Sequence, residues 1–383
     1  MDFDPTSEQQ MMKDAVKKLS DDKLYPVLSR EPSDQPLSKS AMLEIYGHLA
    51  EFGLTAMRLP EELGGSGMSM VDFGLLMEEL PAVVGLSLVS HDGSTVRLAT
   101  GAQSDLRDRH LPDLIAGRGI VCTATSETGA GSHSNAIRTS IEAAGETVRV
   151  NGRKMWVTNA SVADLYIVTC SAGTDDRGKQ LNQRVLVERD RPGVTVSEIP
   201  ATGLRQGHMS EINFDNVEVP AHHVIGEAGD AAKLMTVVWN ANRPLIGLMA
   251  LGMATRALEM AKEHAAARTQ FGRPLAAMQL IQHDLAEIET LISSARYMCL
   301  AALDAVDKGR RANGIAASAK RLATQNAVTA IDLAMNIHGG MGITDELGLE
   351  QLWRDARVLQ VPDGTLGILS LIQGRELTGL PAF

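Results

Sequence analysis

Periodicity changes twice along these 383 residues, and that double switch limits the folds open to the chain. Up to about residue 118, apolar residues recur three and four apart, as in AMLEIYGHLAEFGL and VDFGLLMEEL, the spacing of one helix face. From 119 to about 225 the pattern shortens to strand-like runs, among them LYIVTCS, QRVLVER, VTVSEIP and EINFDNVEVP. From 226 onward long amphipathic stretches return, such as LIGLMALGMATRALEMAKEHAAART and IAASAKRLATQNAVTAIDLAMNIHGG, with lengths suited to an antiparallel bundle. The order helix, strand, helix predicts segregated layers, an α+β fold, rather than βαβ winding. Three domains are expected: helical over 1–118, β over 119–225 and helical over 226–383. Locally, Ser7 offers a cap for the first helix and RLPEELGGSGMS reads as a loop. Asn151-Gly152, between ETVRV and RKMWVT, predicts a two-residue hairpin turn.

Aromatic residues are only 3% of the chain, so the cores must be aliphatic. The net charge of −11 comes without a basic stripe, which excludes nucleic acid as an expected partner. Cys122, Cys170 and Cys299 are odd in number and far apart. They predict neither a disulfide framework nor a metal site, and they fit a reducing cytoplasm. The start, MDFDPTSEQQ, lacks the character of a signal peptide, and no apolar run reaches the roughly 18 residues of a membrane span.

Four segments bear on chemistry. Ser126–Ser132 (SETGAGS) has two glycines flanked by hydroxyls: an ordinary turn, or backbone that approaches an anion or a flat ring closely. Lys154–Asn159 (KMWVTN) carries Trp156, a core aromatic or an indole for a heterocycle, with Thr158 as a hydroxyl at the ring edge. Arg268–Gly272 (RTQFG) ends a helix with a cation that suits the dipole or binds a pyrophosphate. The fourth runs from IHGGMG through WRDAR to Asp363-Gly364-Thr365. In it Asp355 suits an ion pair with its neighbouring arginines, and Asp363 is either a helix cap or a reactive carboxylate.

Taken together, in this order and spacing, the segments resemble the acyl-CoA dehydrogenase family over nearly the whole chain. SETGAGS is similar to the family's TEPGAGS, NGRKMWVTNA to NGxKxWITN, RTQFGRPLAAMQ to RxxFGxxxxxxQ, and HGGMGI with WRDAR to its C-terminal signature. The resemblance implies an N-terminal helical domain, a central β-barrel-like domain and a C-terminal four-helix bundle, assembled as a homotetramer with FAD. Thr123, Thr125, Ser126, Gly131 and Ser132, with Trp156 and Thr158, would hold the flavin. Arg268, Phe271, Gln279, Asn336, Gly339 and Gly340 would reach a neighbouring subunit's FAD, and Thr365 would touch the cofactor near the catalytic turn. Ser132, Asn240, Arg243 and Gly364 match positions along the acyl-CoA path.

The implied reaction is α,β-dehydrogenation of an acyl-CoA, or of an acyl group on a carrier protein, with electrons passed to an electron-transfer flavoprotein. Asp363 would be the base, and its backbone N–H would be a donor to the thioester oxygen. The family's usual residue at that place is Glu. Asp is one methylene shorter and retracts the carboxylate by about 1.5 Å. A misplacement near 1 Å costs on the order of 100-fold in rate when nothing compensates. An alternative base position on the bundle helix holds Asn242, and Asp92 is expected in a loop. His133 stands where Asp is common. Two other readings remain: a reduced-flavin monooxygenase on the same fold, and an acyl-CoA-binding partner subunit without catalysis.

Overall fold

The computed structural model describes residues 4–132, 136–178 and 180–380, side chains of 232–236 excepted, so His133 lies outside the described residues. Helices α1 (Ser7–Leu19), α2 (Tyr25–Arg30), α3 (Lys39–Glu51), α4 (Met70–Met77), α5 (Ala82–Gly101) and α6 (Ser104–Ile115) come first. The cap of α1 is Thr6, not Ser7: its hydroxyl accepts the Gln9 N–H at 3.2 Å, while the Gln9 side chain accepts the Thr6 N–H at 2.9 Å. This reciprocal capping box satisfies two orphan donors at once, which Ser7 would not. Helix α5 is buried nearly all round, and it packs between the sheet and the bundle.

The strands are β1 (Val121–Ala124), β2 (Ser140–Ala144), β3 (Thr147–Thr158), β4 (Leu165–Thr174), β5 (Gln180–Glu188), β6 (Val194–Glu198), β7 (Met209–Pro220) and β8 (Val224–Ile225). They form one sheet in the order β6-β7-β3-β2-β4-β5-β8, with β1 added parallel to β4. The hairpin expected at Asn151-Gly152 is a correction. Both residues lie inside β3, and the turn is Gly145-Glu146, between the paired Ala144 and Thr147. Asn151-Gly152 makes a bulge instead, with a register shift against β7 between Val150 and Gly152. Gly152 has φ 146°, and a Cβ there would lie 2.5 Å from Thr139 Oγ1. The Asn side chain accepts the Asn216 N–H at 2.8 Å, which fixes the bulge.

The last region holds α7 (Asp230–Ala267), α8 (Gln279–Asp307) and α9 (Asn313–His338), then α10 (Leu349–Val358) and α11 (Leu366–Thr378) packed against α9. With few aromatics, the long helices meet through small residues. Ala316, Ala319, Ala323, Ala327, Ala330 and Ala334 form a buried stripe on α9 at three- and four-residue spacing. A Cβ at Gly247 of α7 would lie 3.0 Å from the Ala323 Cβ, which shows how close the two helices run. No helix among the described residues is long and apolar enough to cross a membrane.

Candidate active site

Asp363 sits on the turn between α10 and α11, half-buried, with φ 52°, followed by Gly364 at φ 116°. Two successive residues at positive φ are strained for a non-glycine, and such strain persists only where surroundings hold it. Here two helices do so. From α7, Arg243 Nε donates to the Asp363 carbonyl at 3.0 Å. From α9, the ammonium of Lys320, which occupies the buried alanine stripe, donates to the carbonyls of Pro362, Gly364 (2.7 Å) and Gln360 (3.4 Å). Burial pushes the Lys320 ammonium down to about 7, with Arg243 pushing the same way and Asp363 opposing. The reading of Asp363 as a helix cap fails, because the cap position of α11 is Thr365. Among the described residues, neither the Asp363 N–H nor its carboxylate makes a hydrogen bond, so a donor and an acceptor are left for a ligand.

Beside this turn, Asn240 and Arg243 are buried on α7; Asn240 bonds Asn313 at 2.6 Å and accepts from Arg243 at 3.4 Å. Asn242 accepts from Arg58 Nη1 at 3.1 Å, and Arg58 also pairs with Asp92. Asp92 is therefore a correction: it lies within α5, wholly buried, and accepts both Nε and the backbone N–H of Arg58. The polar run SHDGS looks like loop sequence, but its polar groups find partners inside the protein. Asp355 is also reassigned. Arg354 pairs with Glu350, and Asp355 instead accepts the Leu204 N–H at 2.5 Å; burial pushes its carboxyl up to about 6.

The segment from Thr123 to Ser132 is held by a buried ion pair that sequence reasoning missed. Glu127 accepts from Lys154 Nζ (2.8 Å), the Thr139 N–H and hydroxyl, and the Arg138 N–H. Lys154 also donates to the Thr125 carbonyl at 3.0 Å. Burial opposes ionisation of Glu127, but these donors win and hold its carboxyl below the usual range. The Thr123 hydroxyl is taken by Ser94 and Arg97, and that of Thr125 by Thr169. Those of Ser126 and Thr158, both half-buried, make no hydrogen bond among the described residues. Gly131 and Ser132 are exposed. Trp156 is 54% exposed at φ 61°, on a second β3–β7 bulge. An indole turned outward by strained backbone, with the unengaged hydroxyl of Thr158 two residues on and that of Ser126 brought alongside by the Met155 N–H bond to the Ser126 carbonyl, suits the edge and face of a flat polar ring.

A separate group gathers at one end of the bundle. Arg268 caps the end of α7, Gln279 opens α8, and Asn336, Gly339 and Gly340 close α9, all of them exposed. His264 and His338 stack at 4.4 Å and tie the two helix ends together. Phe271 and Gly272 turn a small hairpin with φ 52° and 77°, leaving the phenyl 94% exposed. Here the two successive positive φ values do make a hairpin turn. No hydrogen bond or ion pair among the described residues joins this end to the Trp156 group.

The comparisons agree along the chain. The models for the N-terminal, middle and C-terminal domains of acyl-CoA dehydrogenase match residues 6–118, 122–217 and 232–378. The chain belongs to the acyl-CoA dehydrogenase family. Among its relatives, the probable acyl-CoA dehydrogenase YngJ of Bacillus subtilis is 32% identical over 383 residues, covering 98% of this chain and 100% of the relative. Butyryl-CoA dehydrogenase from Megasphaera elsdenii superposes with a TM-score of 0.91 at 27% identity, over 98% of this chain and 100% of that one. The FAD complex of PigA superposes with a TM-score of 0.90 at 25% identity, over 98% and 99%. This acyl-CoA dehydrogenase is thus an FAD-dependent oxidoreductase, and among the described residues the Ser126 and Thr158 hydroxyls are unengaged and the Trp156 indole is exposed.

Proposed function

We propose that Asp363 is the base of an acyl-CoA dehydrogenase, removing the proton next to the thioester carbonyl. The observation that carries this is the tethered turn. Arg243 and Lys320 grip the backbone on either side of Asp363 and leave its carboxylate and N–H unengaged. A base held by its backbone loses no hydrogen bond when substrate arrives, and the free N–H is placed to receive charge on the thioester oxygen. FAD, when bound, supplies the hydride acceptor for the β-carbon. Ser126, Trp156 and Thr158 would seat its ring; Asn240, Arg243 and Gly364 would line the thioester path, with Ser132 at its mouth. Thr365 stays exposed beside the turn, its side chain not used as a cap.

The exposed group Arg268, Phe271, Gln279, Asn336, Gly339 and Gly340 supports a second role. It would complete the FAD site of another copy, so the working form is a homo-oligomer, a homotetramer in our reading. We place the domain boundaries near 118 and 225, electron transfer to an electron-transfer flavoprotein, and the enzyme in the cytoplasm.

The deciding experiment is anaerobic mixing of the yellow holoenzyme with a panel of acyl-CoA thioesters, following loss of oxidised-flavin absorbance. At least one thioester should bleach the flavin, and Asp363→Asn should bind it without bleaching. Full activity in that variant would remove Asp363 from the chemistry. Oxygen consumption coupled to turnover would favour a monooxygenase instead.

A further inference from the structure

Arginines from four separate elements converge where the three domains meet. Arg58 precedes Pro60, Arg97 is on α5, Arg184 on β5 and Arg243 on α7. Among the described residues, three of them keep a shielded nitrogen without a partner: Nη2 of Arg58, Nε of Arg97 and Nε of Arg184. Their other bonds fix them in place. Arg58 is held by Asp92 and Asn242. Arg97 Nη1 donates to the Gly93 carbonyl (3.2 Å) and to Thr123 Oγ1 (3.0 Å), and Arg184 Nη2 donates to the Ala231 carbonyl (2.8 Å).

The charges do not balance. Asp92 is consumed by Arg58, and no carboxylate of the described residues is within ion-pair distance of Arg97. Burial pushes the Arg97 guanidinium down to about 9, with Arg184 and Arg58 pushing further and only Asp363 opposing. Shielded guanidinium nitrogens without acceptors are costly, and an anionic ligand group removes that cost. The planar fork of arginine suits a carboxylate.

Gly93 is the second observation. A glycine inside a helix costs about 1 kcal/mol relative to alanine. Here a Cβ would lie 2.9 Å from Arg58 Nη2 and 3.6 Å from Arg97 Nη1. The helix gives up a side chain where two guanidinium groups come together. Both lie near the Asp363 turn: Arg58 ends on Asn242, the neighbour of the Arg243 that holds the turn, and the charge of Asp363 acts on Arg97.

We propose that the acyl thioester taken by this site carries a second carboxylate at the far end of its acyl chain, and that Arg97, with Arg58 beside it, receives that carboxylate. The inference rests on the dehydrogenase reading and names its substrate class: dicarboxylic acid monothioesters of coenzyme A. Bound phosphate of the cofactor or of coenzyme A is the other source of an anion for these arginines. The test separates the two because every probe carries the same coenzyme A.

The holoenzyme is mixed anaerobically with glutaryl-CoA and adipoyl-CoA, each against the straight-chain acyl-CoA of equal backbone length. A site built around a polar partner rejects the analogue that lacks it, so the dicarboxylyl thioester should reduce the flavin at least about 100-fold more efficiently. Arg97→Met should shrink that ratio to below about 10, and Arg97→Lys, which keeps charge but not the fork, should fall between. Equal or better reduction by the straight-chain thioesters overturns the proposal, as does a ratio unchanged in Arg97→Met. Should Arg97→Met fail to retain FAD, the wild-type panel and Arg97→Lys decide. If no thioester bleaches a flavin that dithionite reduces, the dehydrogenase reading fails and this inference falls with it.

Discussion

Replacing Lys320 by methionine separates two jobs that its ammonium performs. The group bonds the carbonyls of Gln360, Pro362 and Gly364 from a fully buried position. Leaving two close carbonyls unsatisfied costs about 1–3 kcal/mol each. Against this, the drop of the ammonium from its ordinary 10.5 to about 7, caused first by burial, is a penalty of about 5 kcal/mol that the change relieves. The two nearly cancel at pH 7, so a single melting temperature says little. The pH dependence says more. With its folded pKa below the unfolded one, Lys320 binds more protons in the unfolded chain between pH 7 and 10.5, so its penalty is full below pH 7 and lifts as pH rises. Wild type should therefore gain about 2 kcal/mol relative to Lys320→Met between pH 7 and pH 9. Flavin reduction in the variant should fall on the order of 100-fold, the cost of a base displaced by about 1 Å. Urea unfolding of both proteins at the two pH values, with anaerobic stopped-flow at each, gives both numbers. Parallel stability curves, or an unslowed bleaching rate, would refute the clamp.

Glu127→Gln strands the buried Lys154 ammonium and should cost about 3–5 kcal/mol, read by urea unfolding; a loss under 1 kcal/mol, on the scale of surface changes, would mean the pair is dispensable. Gly152→Ala forces a Cβ onto Thr139 at a φ that alanine avoids, and should lower stability by at least about 1–3 kcal/mol, again by urea unfolding; no loss would show that the β3 bulge relaxes. Arg268→Ala touches an exposed side chain and should leave unfolding within about 0.5 kcal/mol yet reduce FAD retained through gel filtration. Unchanged flavin content would remove Arg268 from the cofactor site.

The layer order was legible because the switch from helical to strand periodicity is a property of local sequence. What escaped depends on contacts between distant segments. Asn151-Gly152 carries hairpin chemistry, yet β7 lies alongside and its pairing turns the dipeptide into a bulge. Asp92 reads as loop because its partner, Arg58, is 34 residues away. Lys320 falls on an apolar stripe where the sequence shows only an interruption; its acceptors lie about 40 residues later in the chain. The motif residues themselves were visible, but the roles divide. Glu127 and Lys154 build the segment, while Ser126, Trp156 and Thr158 keep groups free.

The turn bearing Asp363 is fastened by main-chain oxygens to α7 and α9, and none of these fastenings involves the acid's own oxygens. The length of the acid and the location of its Cα are therefore set independently. A loop pinned from two sides cannot advance to recover a missing methylene, so the remaining gap must close from the ligand's side, by a thioester seated deeper than a longer acid would tolerate. In such an arrangement Asp363→Glu is not a restoration: the added carbon would occupy the volume the substrate's α-carbon needs.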